Sequence, residues 1–247
     1  MDLGLGDRVF LVTGGSRGLG FATAEALIAE GARVVVSSRS RDLVDAAVAQ
    51  LGAAARGLAA DNADPSTPER LVALAMETWG RLDGALISVG GPPATNALGA
   101  TDEQWRSSFE SVFLGAVRMV RAIAPQLGSG SAVGLVLSSS AKSPIGGLEI
   151  SNGLRPGLAM WAKQLADELG PSGVRVISLL PGRILTDRMR ELSPTAADQE
   201  RDSRGIPLRR YGDPAEFGRT AAYLLSPSAS YVTGCAIPID GGLLRLV

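Results

Sequence analysis

The chain contains no histidine and a single cysteine, and these shortages exclude several kinds of catalytic and metal site. Without an imidazole, no Ser-His-Asp or Cys-His relay can form, and no histidine can act as a general base. Cys235 alone can make neither an internal disulfide nor a thiolate zinc site, so we expect no bound metal. This low cysteine usage fits a reducing compartment, which favours a cytoplasmic protein.

Two other residue types are scarce. Lysine occurs only at positions 142 and 163, so 22 of the 24 basic residues are arginines. The three tyrosines, at positions 211, 223 and 231, all lie in the last 40 residues. A phenol followed four residues later by an ammonium therefore cannot occur anywhere in the chain.

The net charge is small, and long apolar runs are absent. A formal net charge of −1 gives no field that would attract nucleic acid or an anionic membrane surface. No run reaches 18 apolar residues, and the first four residues lack the basic region of a signal peptide. With 45% hydrophobic residues, the chain can bury a sizeable core. We therefore expect a globular protein with no nucleic-acid or membrane partner.

Short apolar runs alternate with longer amphipathic stretches, which predicts βαβ units and a parallel sheet. Because no linker or internal repeat interrupts the alternation, residues 1–247 are predicted to form one domain. The fold class is α/β, a Rossmann-like doubly wound parallel sheet with helices on both faces. The predicted strands are 8–13, 33–37, 84–88, 132–138, 175–180 and 236–239. The predicted helices are 18–30, 41–51, 65–79, 102–127, 152–169 and 214–225.

The polar stretch 187–205 breaks this alternation directly after a predicted strand. Long segments in this position often cover a binding site. We interpret residues 185–206 as a substrate-covering segment. A solvated pair of surface helices is the alternative.

A glycine-rich turn lies between the first predicted strand and the helix that follows it. Glycines allow a tight turn in which backbone N–H groups approach a pyrophosphate, and the helix N-terminus adds partial positive charge. This placement makes the turn a strong signal for a bound dinucleotide. The predicted cofactor-binding residues here are Gly14, Ser16, Arg17, Gly18, Leu19 and Gly20.

The end of the second predicted strand indicates which dinucleotide is bound. An acidic residue at this point would hold the ribose 2′-hydroxyl of NAD(H), but the sequence has Ser38 and Arg39 instead. Arg39 and Arg17 are suited to clamp a 2′-phosphate through charge-assisted hydrogen bonds. We therefore favour NADP(H) over NAD(H). Both arginines lying free on the surface is the alternative.

Over its whole length the chain resembles the short-chain dehydrogenase/reductase family, and it is similar to members like 3-oxoacyl-carrier-protein reductase. The resemblance rests on the following motifs: Thr13-Gly14-x-x-x-Gly18-x-Gly20, Asp61, Ser138, Pro181-Gly182-Arg183-Ile184-Leu185-Thr186, the stretch 206–214, Tyr231-Val232-Thr233-Gly234 and Asp240-Gly241-Gly242. It implies a small-molecule substrate and a homo-oligomer, a tetramer or a dimer.

The resemblance also assigns cofactor contacts. It implies that Asp61 binds the adenine, and that Ile184 and Thr186 contact the nicotinamide carboxamide. The further cofactor-binding residues are predicted to be Asn62, Ser88, Gly90, Pro181 and Gly182. Gly90 either lets the chain pass close to the nicotinamide or belongs to an ordinary strand-to-helix loop.

The chemistry of the family rests on Ser, Tyr, Lys and usually Asn, and three of these four are replaced here. Ser138 is retained, while Ser151 takes the Tyr position and Arg155 the Lys position. The Asn position falls on Val112. A one-residue shift would place Asn152 and Pro156 at the Tyr and Lys positions, which suits the chemistry less well. We predict Ser138, Ser151 and Arg155 as the catalytic residues.

A serine hydroxyl is a much weaker acid than a phenol, and an arginine stays protonated, so the proton path must differ. Lys142, or a water held between Ser138, Ser151 and Arg155, is a candidate proton donor. Arg155 and Arg183 suggest that an anionic group is bound.

The predicted function is an NADP(H)-dependent oxidoreductase that interconverts a carbonyl and an alcohol. A catalytically silent NADP(H)-binding sensor or partner subunit is the main alternative. A non-redox enzyme similar to halohydrin dehalogenases is a third, which the missing Tyr and the retained glycine turn disfavour.

Overall fold

The computed structural model describes residues 2–245. Within these residues a single sheet of seven parallel strands forms in the order β3-β2-β1-β4-β5-β6-β7. The strands are β1 Val9–Thr13, β2 Arg33–Ser38, β3 Ala55–Ala59, β4 Gly84–Ile87, β5 Ala132–Val136, β6 Arg175–Pro181 and β7 Cys235–Ile239. The order reverses between β1 and β4, and ligands of open parallel sheets bind at such a point.

Helices cover both faces of the sheet, as the α/β prediction required. The α-helices are α1 Gly18–Ala29, α2 Arg41–Leu51, α3 Thr67–Trp79, α4 Asp102–Ser108, α5 Gly115–Ile123, α6 Glu149–Leu169, α7 Asp187–Leu192, α8 Ala196–Ser203 and α9 Pro214–Leu225. Phe10 and Val12 of β1 pack toward α1 and α9, whereas Val9 and Leu11 pack toward α3, α5 and α6. This alternation explains why the buried strands read as continuous apolar runs.

All six predicted strands are present, but the edge strand β3 was absent from the strands predicted from the apolar pattern. Its sequence, Ala-Arg-Gly-Leu-Ala, contains no β-branched residue, and only Ala55 is fully buried. Strand propensity depends on packing and burial, so a small-residue edge strand gives little signal. Gly57 is required by its neighbours, because a Cβ there would lie 2.4 Å from the Val44 side chain.

The predicted helix 102–127 is interrupted. Between α4 and α5 the residues Phe109–Leu114 form a π-helical segment. Val112, at the family's Asn position, is buried in this segment against Ile150 and Leu154 of α6. Insertions of this type are frequent at functional sites.

Asp83 links the start of β4 to β1 at the end of the sheet opposite the carboxyl ends of the strands. Its carboxylate accepts a hydrogen bond from Val9 N at 2.9 Å and a bidentate pair from Arg81 at 2.7 and 2.8 Å. Arg8 adds a longer ion pair at 3.6 Å. Asp83 is only 8% exposed, so its loss leaves a buried amide without an acceptor.

We expect Asp83→Ala to lower the free energy of unfolding by about 1–3 kcal/mol, the cost of an unsatisfied buried donor. Urea denaturation measures this change. Glu200→Ala, which removes an exposed ion pair with Arg204, is the control and should change stability by less than about 0.5 kcal/mol. Equal effects of the two substitutions would show that Asp83 has no special role.

Candidate active site

The candidate site lies at the carboxyl ends of the strands, where the strand order reverses between β1 and β4. Thr13 Oγ1 donates to Ser88 O at 2.8 Å and accepts from Ser88 N at 2.9 Å. Asn62 Nδ2 donates to the same hydroxyl at 3.4 Å. These bonds fix the last residue of β1 beside the residue that follows β4.

The glycine turn follows β1 at this point and leads into α1. Gly14 and Gly18 have φ angles of +61° and +59°, in the left-handed region that favours glycine. A Cβ on Gly14 would lie 2.8 Å from Ser88 O, and one on Gly20 would lie 2.4 Å from Gly14 O. The turn therefore needs glycine for its close backbone contacts as well as for its conformation.

The remaining predicted residues of the turn surround these glycines. Ser16 is half-buried, Arg17 is the exposed N-cap residue of α1, and Leu19 packs on the core. α1 has no acidic residue in its first turn, so its N-terminal amides keep their positive character. This arrangement fits a pyrophosphate.

The end of β2 provides the second part of the predicted cofactor site. Ser38 ends the strand with its hydroxyl directed to Ser40 O at 3.5 Å, and Arg39 beside it is exposed. The ion pairs found within residues 2–245 include neither Arg39 nor Arg17. Both guanidinium groups are therefore available to an anionic ligand. Asp61, after β3, accepts from Ala63 N at 3.0 Å.

The segment after β6 closes the other side of the candidate cofactor site. Pro181 is the last residue of β6, and Gly182 N donates to Ile239 O at 3.0 Å. Ile184 is buried and pairs with Gly212 through an isolated bridge. Thr186 caps α7, and its methyl group lies 3.5 Å from where a Cβ on Gly18 would be. Thr186, predicted to contact the nicotinamide, thus lies beside the glycine turn predicted to hold the pyrophosphate.

Three serines cluster where β5 ends and α6 begins. Ser138 Oγ accepts a hydrogen bond from Ser140 N at 3.1 Å, which leaves its own hydrogen free to donate. Ser140 Oγ and Ser151 Oγ are 2.9 Å apart, and both residues are buried. Ser140 was not predicted, because nothing in three consecutive serines distinguishes the third from the first.

Arg155 lies one turn after Ser151 on α6 and is 4% exposed. Its Nη1 donates to Val136 O at the end of β5 at 2.8 Å, whereas its Nε is buried without a partner. Burial, and next the charge of Arg188, lower the pKa of Arg155 to about 10. It stays a cation at neutral pH, in a place where a cation is costly.

Asn152 and Lys142, which the sequence offered as an alternative to Ser151 and as a candidate proton donor, have different surroundings from the serine cluster. Asn152 binds the backbone of Ile145 through both amide atoms, at 3.0 Å each, so it holds the loop before α6. Lys142 is exposed in the loop after β5, and its side chain forms no hydrogen bond within the described residues. Gly90, in the loop after β4, is also exposed, with open space where a Cβ would be.

The polar segment after β6 folds as the two short helices α7 and α8. Asp202 holds them in place by accepting from Arg183 Nη1 and Ser193 Oγ at 2.8 Å each and from Tyr211 OH at 3.1 Å. Partial burial opposes ionisation, but the bond from Ser193 and the charge of Arg183 lower the pKa of Asp202 overall. On α7, Arg188 Nη2 donates to Pro92 O at 2.7 Å in the loop after β4.

Clusters of metal-ligating side chains and membrane-spanning helices are absent from residues 2–245. No group of three or more His, Cys, Asp or Glu residues there has the geometry to hold a metal ion. None of the helices there combines the length and apolar character needed to cross a membrane.

Comparison with known proteins identifies the family. A family profile described as "Enoyl-(Acyl carrier protein) reductase" matches residues 14–244. "Dehydrogenase/reductase SDR family member 4" of Homo sapiens is 34% identical over 245 residues, covering 96% of this chain and 88% of the relative. "L-rhamnose 1-dehydrogenase (NAD(P)(+))" of Azotobacter vinelandii is 32% identical over 247 residues, covering 96% of each.

A solved structure agrees with these relatives. L-sorbose reductase from Gluconobacter frateurii, determined with NADPH and L-sorbose, superposes with a TM-score of 0.93 at 28% identity, covering 100% of both chains. The profile and the relatives extend over nearly all of the sequence, and the fold matches throughout. The chain is therefore an oxidoreductase of the short-chain dehydrogenase/reductase family.

Proposed function

We propose that the protein is an NADP(H)-dependent oxidoreductase that interconverts a carbonyl and an alcohol by a non-standard proton path. The observation that carries this proposal is the convergence of Ser138, Ser151 and Arg155 at the carboxyl ends of the strands, where the glycine turn also lies. NADP(H) is favoured because Arg17 and Arg39 are exposed and form no ion pair with any carboxylate among residues 2–245. The related sorbose reductase was determined with NADPH.

The glycine turn and Arg39 would hold NADPH, which when bound would supply the hydride that the carbonyl carbon of the substrate accepts. The Ser138 hydroxyl donates a hydrogen bond to the carbonyl oxygen, as donors in an oxyanion hole do. The π electrons move to that oxygen, and the cation of Arg155 stabilises the resulting alkoxide. The alkoxide takes its proton from a water held by the serine hydroxyls, and that water regains a proton from bulk solvent, so one solvent proton is consumed per turnover.

A second candidate function is a catalytically silent NADP(H)-binding protein. The observation that favours it is Val112, which fills the family's Asn position with a buried apolar side chain. Turnover separates the two candidates. A protein that binds NADPH tightly but oxidises it with no ketone, aldehyde or acyl thioester would be the silent form.

Helices α7 and α8, within residues 185–206, are proposed to cover the bound substrate. Arg188 of α7 reaches across to Pro92, so this segment already contacts the loop on the far side of the site. The protein is also proposed to be a homo-oligomer. Phe109 and Met160 support this, because they expose apolar surface on the π segment and on α6.

The serine cluster yields the first prediction. Ser138→Ala should lower kcat about 100-fold, the usual loss on removing one oxyanion donor, and leave the Kd for NADPH unchanged. Steady-state kinetics and NADPH fluorescence titration measure the two effects. The exposed Ser143→Ala is the matched control. A kcat unaffected by Ser138→Ala would remove Ser138 from the mechanism.

Cofactor choice yields the second prediction. Arg39→Ala should weaken NADPH binding about tenfold or more while NADH binding stays constant, because a charge-assisted contact to the 2′-phosphate is lost. Fluorescence titration with both nucleotides tests this. Arg121→Ala, at an exposed position on α5, serves as the control. Equal affinities of the unmodified protein for NADPH and NADH would argue against the NADP(H) assignment.

The segment formed by α7 and α8 yields the third prediction. Asp202→Asn should speed deuterium exchange across residues 187–203 about tenfold, because it weakens three hydrogen bonds to a carboxylate. Since the pKa of Asp202 is lowered, its stabilisation is present above the ordinary carboxyl pKa and is lost only as pH falls through the lowered value.

Exchange protection, corrected for intrinsic rates, should accordingly stay constant from about pH 8 to about pH 5. Glu200→Gln, on the exposed side of α8, is the control and should not change exchange. Loss of protection already at pH 6 would contradict the role given to Asp202.

A further inference from the structure

Two arginines at the candidate active site carry charge that no carboxylate neutralises. The ion pairs in the described part of the chain involve neither Arg155 nor Arg188. Arg155 is 96% removed from solvent, yet its one hydrogen bond there is to a neutral carbonyl. Its burial without a counter-charge calls for an explanation beyond packing.

The unused part of the Arg155 guanidinium has a definite shape. Nη1 is occupied by Val136 O, whereas Nε is buried without a partner and Nη2 enters no hydrogen bond among residues 2–245. Nε–H and Nη2–H point in parallel along one edge of the planar group. Such an edge binds the two oxygens of a carboxylate at once.

Arg188 approaches the same region from α7. It is anchored to Pro92 O after β4, while Arg155 is anchored to Val136 O at the end of β5. β4 and β5 are neighbouring strands about 5 Å apart in the sheet. One anchor is the last residue of β5, and the other lies in the loop that leaves β4. The nearby charge of Arg188 also lowers the pKa of Arg155, after the larger effect of burial.

The anionic groups of the cofactor have other predicted sites. Its pyrophosphate is assigned to the glycine turn after β1 and its 2′-phosphate to the end of β2. β5 lies two strands from β1, roughly 10 Å away, and further from β2. Among the anionic groups of the cofactor and the substrate, those of the substrate are therefore left to pair with Arg155 and Arg188.

Arg183, which the sequence suggested as a partner of Arg155 in binding an anion, is excluded from this role. Its Nη1 pairs with Asp202 at 2.8 Å, so its charge is already neutralised within the covering segment. Arg188, five residues later, is the arginine of this segment whose charge remains available.

We propose that Arg155 and Arg188 together bind the carboxylate of the substrate, which makes the substrate a short oxo acid or the corresponding hydroxy acid. Ser151 and Arg155 are four residues apart on α6, so their side chains leave the same face about 6 Å apart at Cβ. Ser151 belongs to the hydroxyl cluster with Ser140 and Ser138, so we place the carboxylate on Arg155 next to the reacting carbonyl, as in a 2-oxo or 3-oxo acid. The inference rests on the proposed oxidoreductase function.

A binding experiment tests the proposal without requiring turnover. The full-length protein is saturated with NADP⁺ and titrated by calorimetry with malonate, with its neutral isostere malonamide, and with inorganic phosphate. Malonate should bind at least about tenfold more tightly than malonamide, because only the anion pairs with both guanidinium groups. Phosphate binding as tightly as malonate would overturn the assignment to a carboxylate.

Variants locate the site. Arg188→Gln and Arg155→Lys should each weaken malonate binding at least about tenfold, the former by removing a charge and the latter by removing the bidentate edge. Arg204→Gln, at the exposed C-cap of α8, should leave malonate binding unchanged. Because Arg155 is buried, thermal melting checks that its variant folds, and Arg188→Gln tests the proposal independently.

A kinetic comparison separates this inference from the function on which it rests. The holoenzyme should oxidise NADPH with 2-oxobutanoate and not with methyl 2-oxobutanoate, and Arg188→Gln should raise KM for the acid at least about tenfold. Reduction of neutral ketones and esters at the same efficiency as oxo acids would overturn the carboxylate site but leave the oxidoreductase in place. Failure to bind NADP(H) at all would instead refute the proposed function.

Discussion

The close contact between the ends of β1 and β4 determines where everything else in the site can lie. Thr13 and Ser88 are joined by two hydrogen bonds through one hydroxyl, and Gly14 passes so near Ser88 O that a methyl group would not fit. The glycine turn can therefore enter α1 only along one path. The loops after β4, β5 and β6 then surround the mouth of the turn, as the order of the parallel strands requires.

Within this framework the reacting end of the site differs in character from the family pattern. A family member with a Tyr-Lys pair holds a phenol beside an ammonium, whereas this chain places hydroxyls at Ser138, Ser140 and Ser151 beside a buried guanidinium. Hydroxyls and a permanent cation stabilise negative charge well but transfer protons poorly. The site is therefore better equipped to hold an anion than to supply an acid. This difference is the physical basis of both the non-standard proton path and the carboxylate site proposed above.

The fold could be predicted from sequence to a large extent, because buried parallel strands read as apolar runs and α9 begins at an Asp-Pro signal. β3 was not predicted from the apolar pattern because its residues are small and it lies at the edge of the sheet. In the site, the glycine turn could be predicted because the spacing of its glycines follows from backbone geometry. Asp83 and Ser140 were not, because their roles depend on contacts between distant parts of the chain. Arg188 was missed for the same reason, since only the folded chain shows that Asp202 neutralises Arg183.

The chemical make-up of the site has a consequence for how the protein responds to acidity. The serine hydroxyls do not titrate in water at any ordinary pH, and the pKa of Arg155, although lowered, is still about 10. With no histidine in the chain, none of these site residues changes charge between about pH 5 and pH 8. The charge that these residues present to a ligand is thus constant over this pH range.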